Sequence, residues 1–306
     1  VRRLLRLLVS AAGTLLAASL LVWGLAELSP GDPARQVLLS RGVGAPVEAQ
    51  IEAVRAELGL GDAAPVRYAR WLGGALTGDL GASWRTGRPV TAELAERLPA
   101  TLRLCLTAVA LAILPALVLA LAGALGRHRW PDALSRGLMF AGAAVPSFLL
   151  GVALLEIVVV RWGVGRVVAD GGWADTLLPA ATLAAGIAAQ WARVTRGALV
   201  DAATAPFADV SRARGSGELR VLLVHGLPHA APPLLAVAGM TVGGLLAGAA
   251  VVESVFTWPG VGRLLVEAIT ARDLPVVQGC VLVGVLAFLA GALAADLATR
   301  AADPRL

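Results

Sequence analysis

The chain contains no lysine: all 26 of its basic residues are arginine. A phosphate-binding P-loop needs a lysine to reach the β- and γ-phosphates of a nucleotide. This polypeptide therefore cannot hydrolyse ATP by that route. Cysteine occurs only at positions 105 and 280, both inside apolar runs. That argues against a disulfide framework or a thiolate metal site and reads Cys105 and Cys280 as small buried hydrophobes. There are only three histidines, and His225 and His229 are not read as metal ligands. No Ser/His/Asp arrangement, ligand cluster or nucleotide fingerprint is visible, so no catalytic residue, metal site or resident cofactor is expected. Charge is also scarce, at 15% of residues against about 25% in soluble domains.

What is abundant is apolar: 58% of residues are hydrophobic and the mean hydropathy is +0.77. So apolar a chain needs an apolar solvent, which predicts an all-α polytopic membrane protein. Six stretches approach the length of about 20 residues that a spanning helix requires. They are 7–26, 104–125, 137–160, 176–192, 230–252 and 274–295. The third is interrupted by Glu156. The fourth is Ala-rich, carries Gln190, and reads as a helix packed among other helices. The first follows Arg2, Arg3 and Arg6 and exceeds the usual signal-peptide core, so it is read as a retained span.

Arginine placement sets the orientation. With the N-terminus inside, the inner segments carry Arg2, Arg3, Arg6, Arg127, Arg129, Arg136, Arg193, Arg196, Arg212, Arg214, Arg220, Arg300 and Arg305. The short outer loops carry only Arg161, Arg166, Arg263 and Arg272. Both termini are thus expected in the cytoplasm. The basic balance is read as topology and contact with lipid, not as nucleic-acid binding. Trp23, Trp130, Trp162, Trp173, Trp191 and Trp258 fall near predicted span ends, as interfacial tryptophans do. The spans hold Pro115, Pro146, Pro179, Pro232 and Pro233, each of which frees a carbonyl that a neighbour or water must satisfy. Two small-residue pairs, Gly239/Gly243 and Gly244/Gly248, predict either ordinary helix packing or a face turned to a partner or pathway.

Three regions follow: 1–26 with the first span, a long first extracytoplasmic loop at 27–100, and a core at 101–306. In the loop, Ile51, Val54, Leu58 and Leu60 recur at near-helical spacing and predict a short amphipathic helix. Pro65, Gly78, Asp79, Gly81 and Gly87 read as turns in a small folded cap. The polar segment 193–229 between spans four and five reads as a helix–turn–helix broken at Gly215-Ser216-Gly217. It suits either a solvated loop or a docking element for a soluble partner.

In that segment Asp209-Val210-Ser211, then Gly215, then His225-Gly226-Leu227-Pro228 are spaced like the signature of permease subunits of ATP-binding-cassette importers. The family's Glu-Ala-Ala is replaced by Asp-Val-Ser. The run Ser211-Arg212-Ala213-Arg214-Gly215 resembles the dipeptide/oligopeptide/nickel branch. So do Val252-Glu253-Ser254-Val255-Phe256-Thr257-Trp258-Pro259-Gly260 and Arg272-Asp273-Leu274-Pro275. Gly78-Asp79-Leu80-Gly81, Arg85-Thr86-Gly87-Arg88-Pro89-Val90 and Leu28-Ser29-Pro30-Gly31-Asp32-Pro33 extend the resemblance end to end, in the manner of the B-type permease.

The resemblance implies a fold of six spans with a coupling helix between spans four and five. It implies partners: a second homologous permease, two ATPase subunits that hold ATP and Mg, and an extracytoplasmic solute-binding protein. It would place Asp209, Ser211, Arg212, Ala213, Arg214, Gly215 and Glu218 at the ATPase contact, with Gly215 serving a turn and the two arginines offering forked donors to the partner. Glu156, ionisable within a span, is a candidate for the pathway or for interfacial pairing, and Glu253 for a gate or receptor contact. The implied cargo is a dipeptide or oligopeptide, with nickel or a metal chelate as the alternative within the branch. An ion-coupled secondary transporter is the reading from another class; it is disfavoured because Glu156 stands nearly alone within the spans.

Overall fold

The computed structural model describes residues 2–28, 31–126, 129–166 and 169–302. Arg127, Arg305 and the Ser29-Pro30 pair of the sequence reading lie outside the described residues. The fold is helical, and the sole extended pairing among those residues is a bridge between Ala82 and Pro89. Helices α1 (Arg2–Leu28), α2 (Pro33–Ser40), α3 (Glu48–Glu57), α4 (Ala64–Leu76) and α5 (Val90–Leu125) come first. Next are α6 (Trp130–Ala144) and α7 (Ser147–Leu154), the latter running into a π-helical turn (Leu155–Arg161). They are followed by α8 (Trp173–Ala203), α9 (Pro206–Ala213), α10 (Glu218–Val221) and a second π-helical turn (Leu222–Gly226). Helices α11 (Leu227–Val255), α12 (Val261–Ala271) and α13 (Leu274–Ala302) complete the chain.

Four helical stretches are long and apolar enough to cross a membrane, and α6 with α7 makes a fifth if the bent pair is one span. The predicted single span at 137–160 is therefore corrected: the chain turns by 96° between α6 and α7. Pro146 is the cause. It has no N–H to continue the ladder and holds Val145 in an extended conformation (φ −78°, ψ 120°). Helix α8, the weak fourth span of the sequence reading, is not among these stretches; it is 31 residues long, or about 46 Å at 1.5 Å per residue. It is packed among other helices as expected, with Ala180, Leu183, Ala184, Ile187, Ala188, Trp191 and Leu199 all buried.

The helices form two compact units, Val1–Thr101 with Pro259–Ala287, and Leu102–Trp258 with Phe288–Leu306. In the first, α2 and α3 close a small core of Ala34, Val37, Leu38, Ile51 and Val54, with Leu58 and Leu60 against it. The helical spacing of the loop thus has the predicted outcome. Asp32 caps α2 by accepting from the Ala34 N–H and pairs with Arg55 of α3 at 2.7 Å. Pro65 is a correction: it opens α4 instead of making a turn, because a missing N–H costs nothing in a first helical turn. Gly78, Gly81 and Gly87 do make turns with positive φ. A second core of Val90, Leu94, Val261, Leu264, Ala268, Val276 and Cys280 joins α5, α12 and α13.

One carboxylate holds the loop in place in this unit. Asp273 is 2% exposed and accepts from the Ser83 hydroxyl and from the N–H groups of Trp84 and Arg85, the latter two at 3.0 and 3.3 Å. A buried carboxylate with three donors is satisfied, so the Arg272-Asp273-Leu274-Pro275 block is a loop anchor.

Trp23 is half-buried, and the other five tryptophans placed near span ends divide into two groups. Trp130, Trp162 and Trp173 are 76%, 69% and 73% exposed and suit an interface. Trp191 and Trp258 are buried, at 6% and 0%, which corrects their assignment as interfacial. Trp191 sits inside α8, and its Nε1–H donates to Thr241 Oγ1 of α11 at 3.1 Å.

Candidate functional site

Helix α9 begins at Pro206, where proline is tolerated, and buries Ala208 and Ser211 on one face. Asp209, Val210 and Ala213 lie on the exposed side. The helix ends in a double hydrogen bond: the Gly215 N–H donates to the Arg212 carbonyl at 2.8 Å and the Ser216 N–H to the Ser211 carbonyl at 3.2 Å. This is the Schellman termination, which needs a left-handed residue just past the helix. Gly215 supplies it at φ +85°. The chain then restarts at α10, with Gly217 as the N-cap and Glu218 in the first turn.

Arg212 is the hub of this turn. Its Nε donates to Glu218 at 2.7 Å, its Nη1 to Asp209 at 2.9 Å, and its Nη2 to the Ala203 carbonyl at 2.8 Å. The expectation that Arg212 offers its fork outward is corrected, since the fork is spent within the chain. Arg214 is exposed and forms no ion pair among the described residues, so it is the arginine that faces outward. The fixed Arg212 guanidinium holds the Glu218 carboxyl below its ordinary value, chiefly through their hydrogen bond. A carboxyl depressed in the folded state contributes stability above its unfolded value of about 4.3, and the contribution is lost as pH falls through the depressed value. We therefore expect the protection of the Ser216 amide, relative to its intrinsic exchange at each pH, to fall on acidification through the depressed Glu218 value, and Arg212→Gln to lower it already at neutral pH. Hydrogen-exchange mass spectrometry of the purified protein across pH reads both.

This turn rests on the main bundle of the second unit. Leu199 of α8, Leu222 of the π turn and Ala230 of α11 pack with Ala120 of α5. Phe207 of α9 lies between His225 and His229, with ring centroids 6.2 and 6.0 Å away. Gly226 allows a close approach, because a Cβ there would come within 2.9 Å of the Leu199 side chain, which would have to shift.

Sequence reading missed Asp132, which is 2% exposed at the start of α6. Arg196 of α8 grips it, with Nη2 at 2.6 Å and Nε at 2.9 Å from the same carboxylate oxygen. Arg136 stands 3.6 Å away on the other side. Gly123 of α5 makes room for the Arg196 stem, since a Cβ there would lie 2.8 Å from the Arg196 Cδ. Read as an inside-facing topology charge, Arg196 is in addition the cation of a buried pair. It sits seven residues before the end of the helix that leads into α9.

The small-residue pairs of α11 divide between the two roles that sequence left open. Side chains at Gly239 and Gly243 would collide with Ala295 and Phe288 of α13, so this pair is helix packing. Nothing lies within 4 Å of a Cβ at Gly244 or Gly248. Both line a cavity of about 920 Å³ walled by α6, α7, α8 and α11. Glu156 and Glu253 are not among its lining residues. Glu156 lies in the first π turn, half exposed, and pairs with Arg161 at 3.2 Å. Glu253 is fully buried near the end of α11. No group of three or more metal-ligating side chains occurs among the described residues.

Comparison with known proteins adds the family. Residues 113–306 match the model of the binding-protein-dependent transport system inner membrane component. The chain is 38% identical over 303 residues, 99% of its length and 97% of the relative's, to the glutathione transport system permease protein GsiC of Salmonella paratyphi A. It is 37% identical to that of Escherichia coli K12, over 96% and 94% of the two chains. A crystal structure of an amino acid ABC transporter with histidines shares the fold, with a TM-score of 0.52 and 18% identity over 71% of this chain and 95% of that one. The apolar helices, the capped turn between α8 and α11, and these end-to-end matches agree: the chain belongs to the binding-protein-dependent inner-membrane transport components, and is a permease subunit of an ABC importer, a transport component and not an enzyme.

Proposed function

We propose that this permease forms half of an import path for glutathione and similar short peptides, delivered by an extracytoplasmic solute-binding protein. The observation that supports this cargo is the likeness to glutathione permeases over 99% of the chain. In this reading a second, homologous permease completes the path and two ATPase subunits carry ATP and Mg. The chain crosses the membrane six times with both termini in the cytoplasm; α8 and the α6–α7 pair each count as a span. The α9 turn is the coupling element: Val210, Ala213, Arg214 and Gly215 meet the ATPase, while Ser211, Arg212, Asp209 and Glu218 hold the turn in shape. Glu253, buried at the end of α11, is a candidate gate residue, and Glu156 an interfacial one.

The test is to purify the tagged chain with its partners, reconstitute the complex, and measure ATP-driven uptake of glutathione, dipeptides, oligopeptides and nickel. Glutathione or peptide accumulation that survives an ionophore supports the reading. Nickel uptake without peptide uptake reassigns the cargo within the branch. Uptake that collapses with the ion gradient while ATP is intact removes the coupling assignment.

A further inference from the structure

The cavity in the second unit carries one charge. Its walls are mainly glycine, alanine and larger aliphatic side chains from four helices. Two of its three hydroxyls are engaged: Thr182 donates to the Leu178 carbonyl, and Thr241 donates to the Val237 carbonyl while accepting from Trp191. The third is Ser147, at the start of α7. Gln190 and Arg193 differ. They stand one turn apart on α8, both exposed on the cavity side, and neither has a hydrogen-bond or ion-pair partner among the described residues. The contrast with Arg196, one turn further on, is direct: Arg196 spends its fork on Asp132, and Arg193 does not.

An exposed guanidinium that no neighbour engages is available to an incoming anion. Its planar fork matches a carboxylate, and a neighbouring amide adds one donor and one acceptor. The volume, about 920 Å³, lies near the upper end of the roughly 300–1,000 Å³ typical of small-molecule sites. It exceeds what a single amino acid needs. Gly244 and Gly248 leave open space beside Met240, Thr241 and Leu245 on the facing wall, which suits a ligand that presents backbone as well as side chain.

We propose that Arg193, assisted by Gln190, reads a carboxylate on the peptide as it passes through this cavity, so that the permease itself favours small anionic peptides. This rests on the peptide-import reading above and adds a specificity-determining residue to it, separate from any preference of the solute-binding protein.

The experiment uses the reconstituted complex with wild-type permease, Arg193→Gln and Arg193→Lys, and two peptides of matched size, Ala-Glu-Ala and Ala-Gln-Ala. One solute-binding protein serves all three complexes, so its own preference cancels in the comparison. We expect Arg193→Gln to lower the acidic-to-neutral uptake ratio by about tenfold, as loss of one charge-assisted contact does, and Arg193→Lys to lower it less. Should Arg193→Gln fail to assemble, Arg193→Lys and Gln190→Ala carry the comparison, each with a ratio below wild type. An unchanged ratio in the assembled variants overturns the proposal. So does an equal loss for both peptides, which would make Arg193 a contact to the second permease. If the wild-type complex imports neither peptide nor glutathione, the peptide reading itself falls; the assignment of Arg193 fails alone only when peptides are imported without regard to position 193.

Discussion

Arg196→Ala will remove most of the stable protein, and Asp132→Asn in the same chain will restore much of it. Asp132 is 2% exposed, and two nitrogens of Arg196 lie 2.6 and 2.9 Å from one of its oxygens. Removing the cation strips a buried carboxylate of two charge-assisted contacts, and breaking a buried pair in this way costs about 3–5 kcal/mol. That is a large share of the roughly 5–15 kcal/mol by which proteins are stable. Arg136, at 3.6 Å and with its own side chain 61% exposed, is too solvated to substitute. Replacing Asp132 with asparagine removes the charge while keeping hydrogen-bonding atoms in place, so the double variant pays less than the single one. Thermal denaturation followed by size-exclusion chromatography in mild detergent reads this directly. Equal melting of wild type and Arg196→Ala would mean that Arg136 suffices, and the pair would lose its structural standing.

Gly215→Trp is expected to leave a folded permease in the membrane and to abolish both ATPase docking and uptake. Gly215 has φ +85°, which an L side chain tolerates poorly, yet nothing lies within 4 Å of a Cβ built there. The penalty inside the chain is thus limited to the backbone, about 1–2 kcal/mol for a single left-handed residue. The indole projects from an exposed turn, where in the coupling reading the ATPase must sit. Gly215→Asn is the control, because asparagine enters the left-handed region more readily and adds little bulk. It should keep most of the uptake. Pull-down of the ATPase with each variant, alongside transport, separates docking from folding. Wild-type uptake by Gly215→Trp would remove the turn from the coupling pathway.

The two variants also mark what a sequence discloses and what it conceals. Gly215 was legible, since a Gly-Ser-Gly break between helix formers is a local signal. The long apolar runs were legible for the same reason, and so was the Ile51/Val54 face of α3. Asp132 was not, because its partner lies 64 residues away and nothing near either residue announces the other. Asp273 likewise binds a loop nearly 190 residues earlier. Arg212 and Arg214 look alike in a string, two residues apart. Only the folded turn shows that Arg212 is consumed by Glu218 and Asp209 while Arg214 projects outward. Pro65 and Pro146 illustrate the same ambiguity in backbone form: one proline opens a helix, the other breaks a span. The difference is whether the lost hydrogen bond fell in a first turn or in a ladder. Trp191 and Trp258 were placed by their distance from the ends of apolar runs, a measure that ignores the helices packed around them.

The bend at Pro146 gives the cavity wall a further property. Pro146 and Ser147 line the cavity at the 96° elbow, where the helical ladder is interrupted. Irregular backbone at membrane depth persists only where protein or a wet cavity satisfies it. The polar character of that wall therefore resides partly in main-chain carbonyl and amide groups, which no side-chain substitution deletes. An alanine scan of the other positions across 143–150, with Pro146 kept, would leave these main-chain groups in place. Replacing single peptide bonds with esters would reveal a lining whose chemistry is independent of the side chains that happen to be written there.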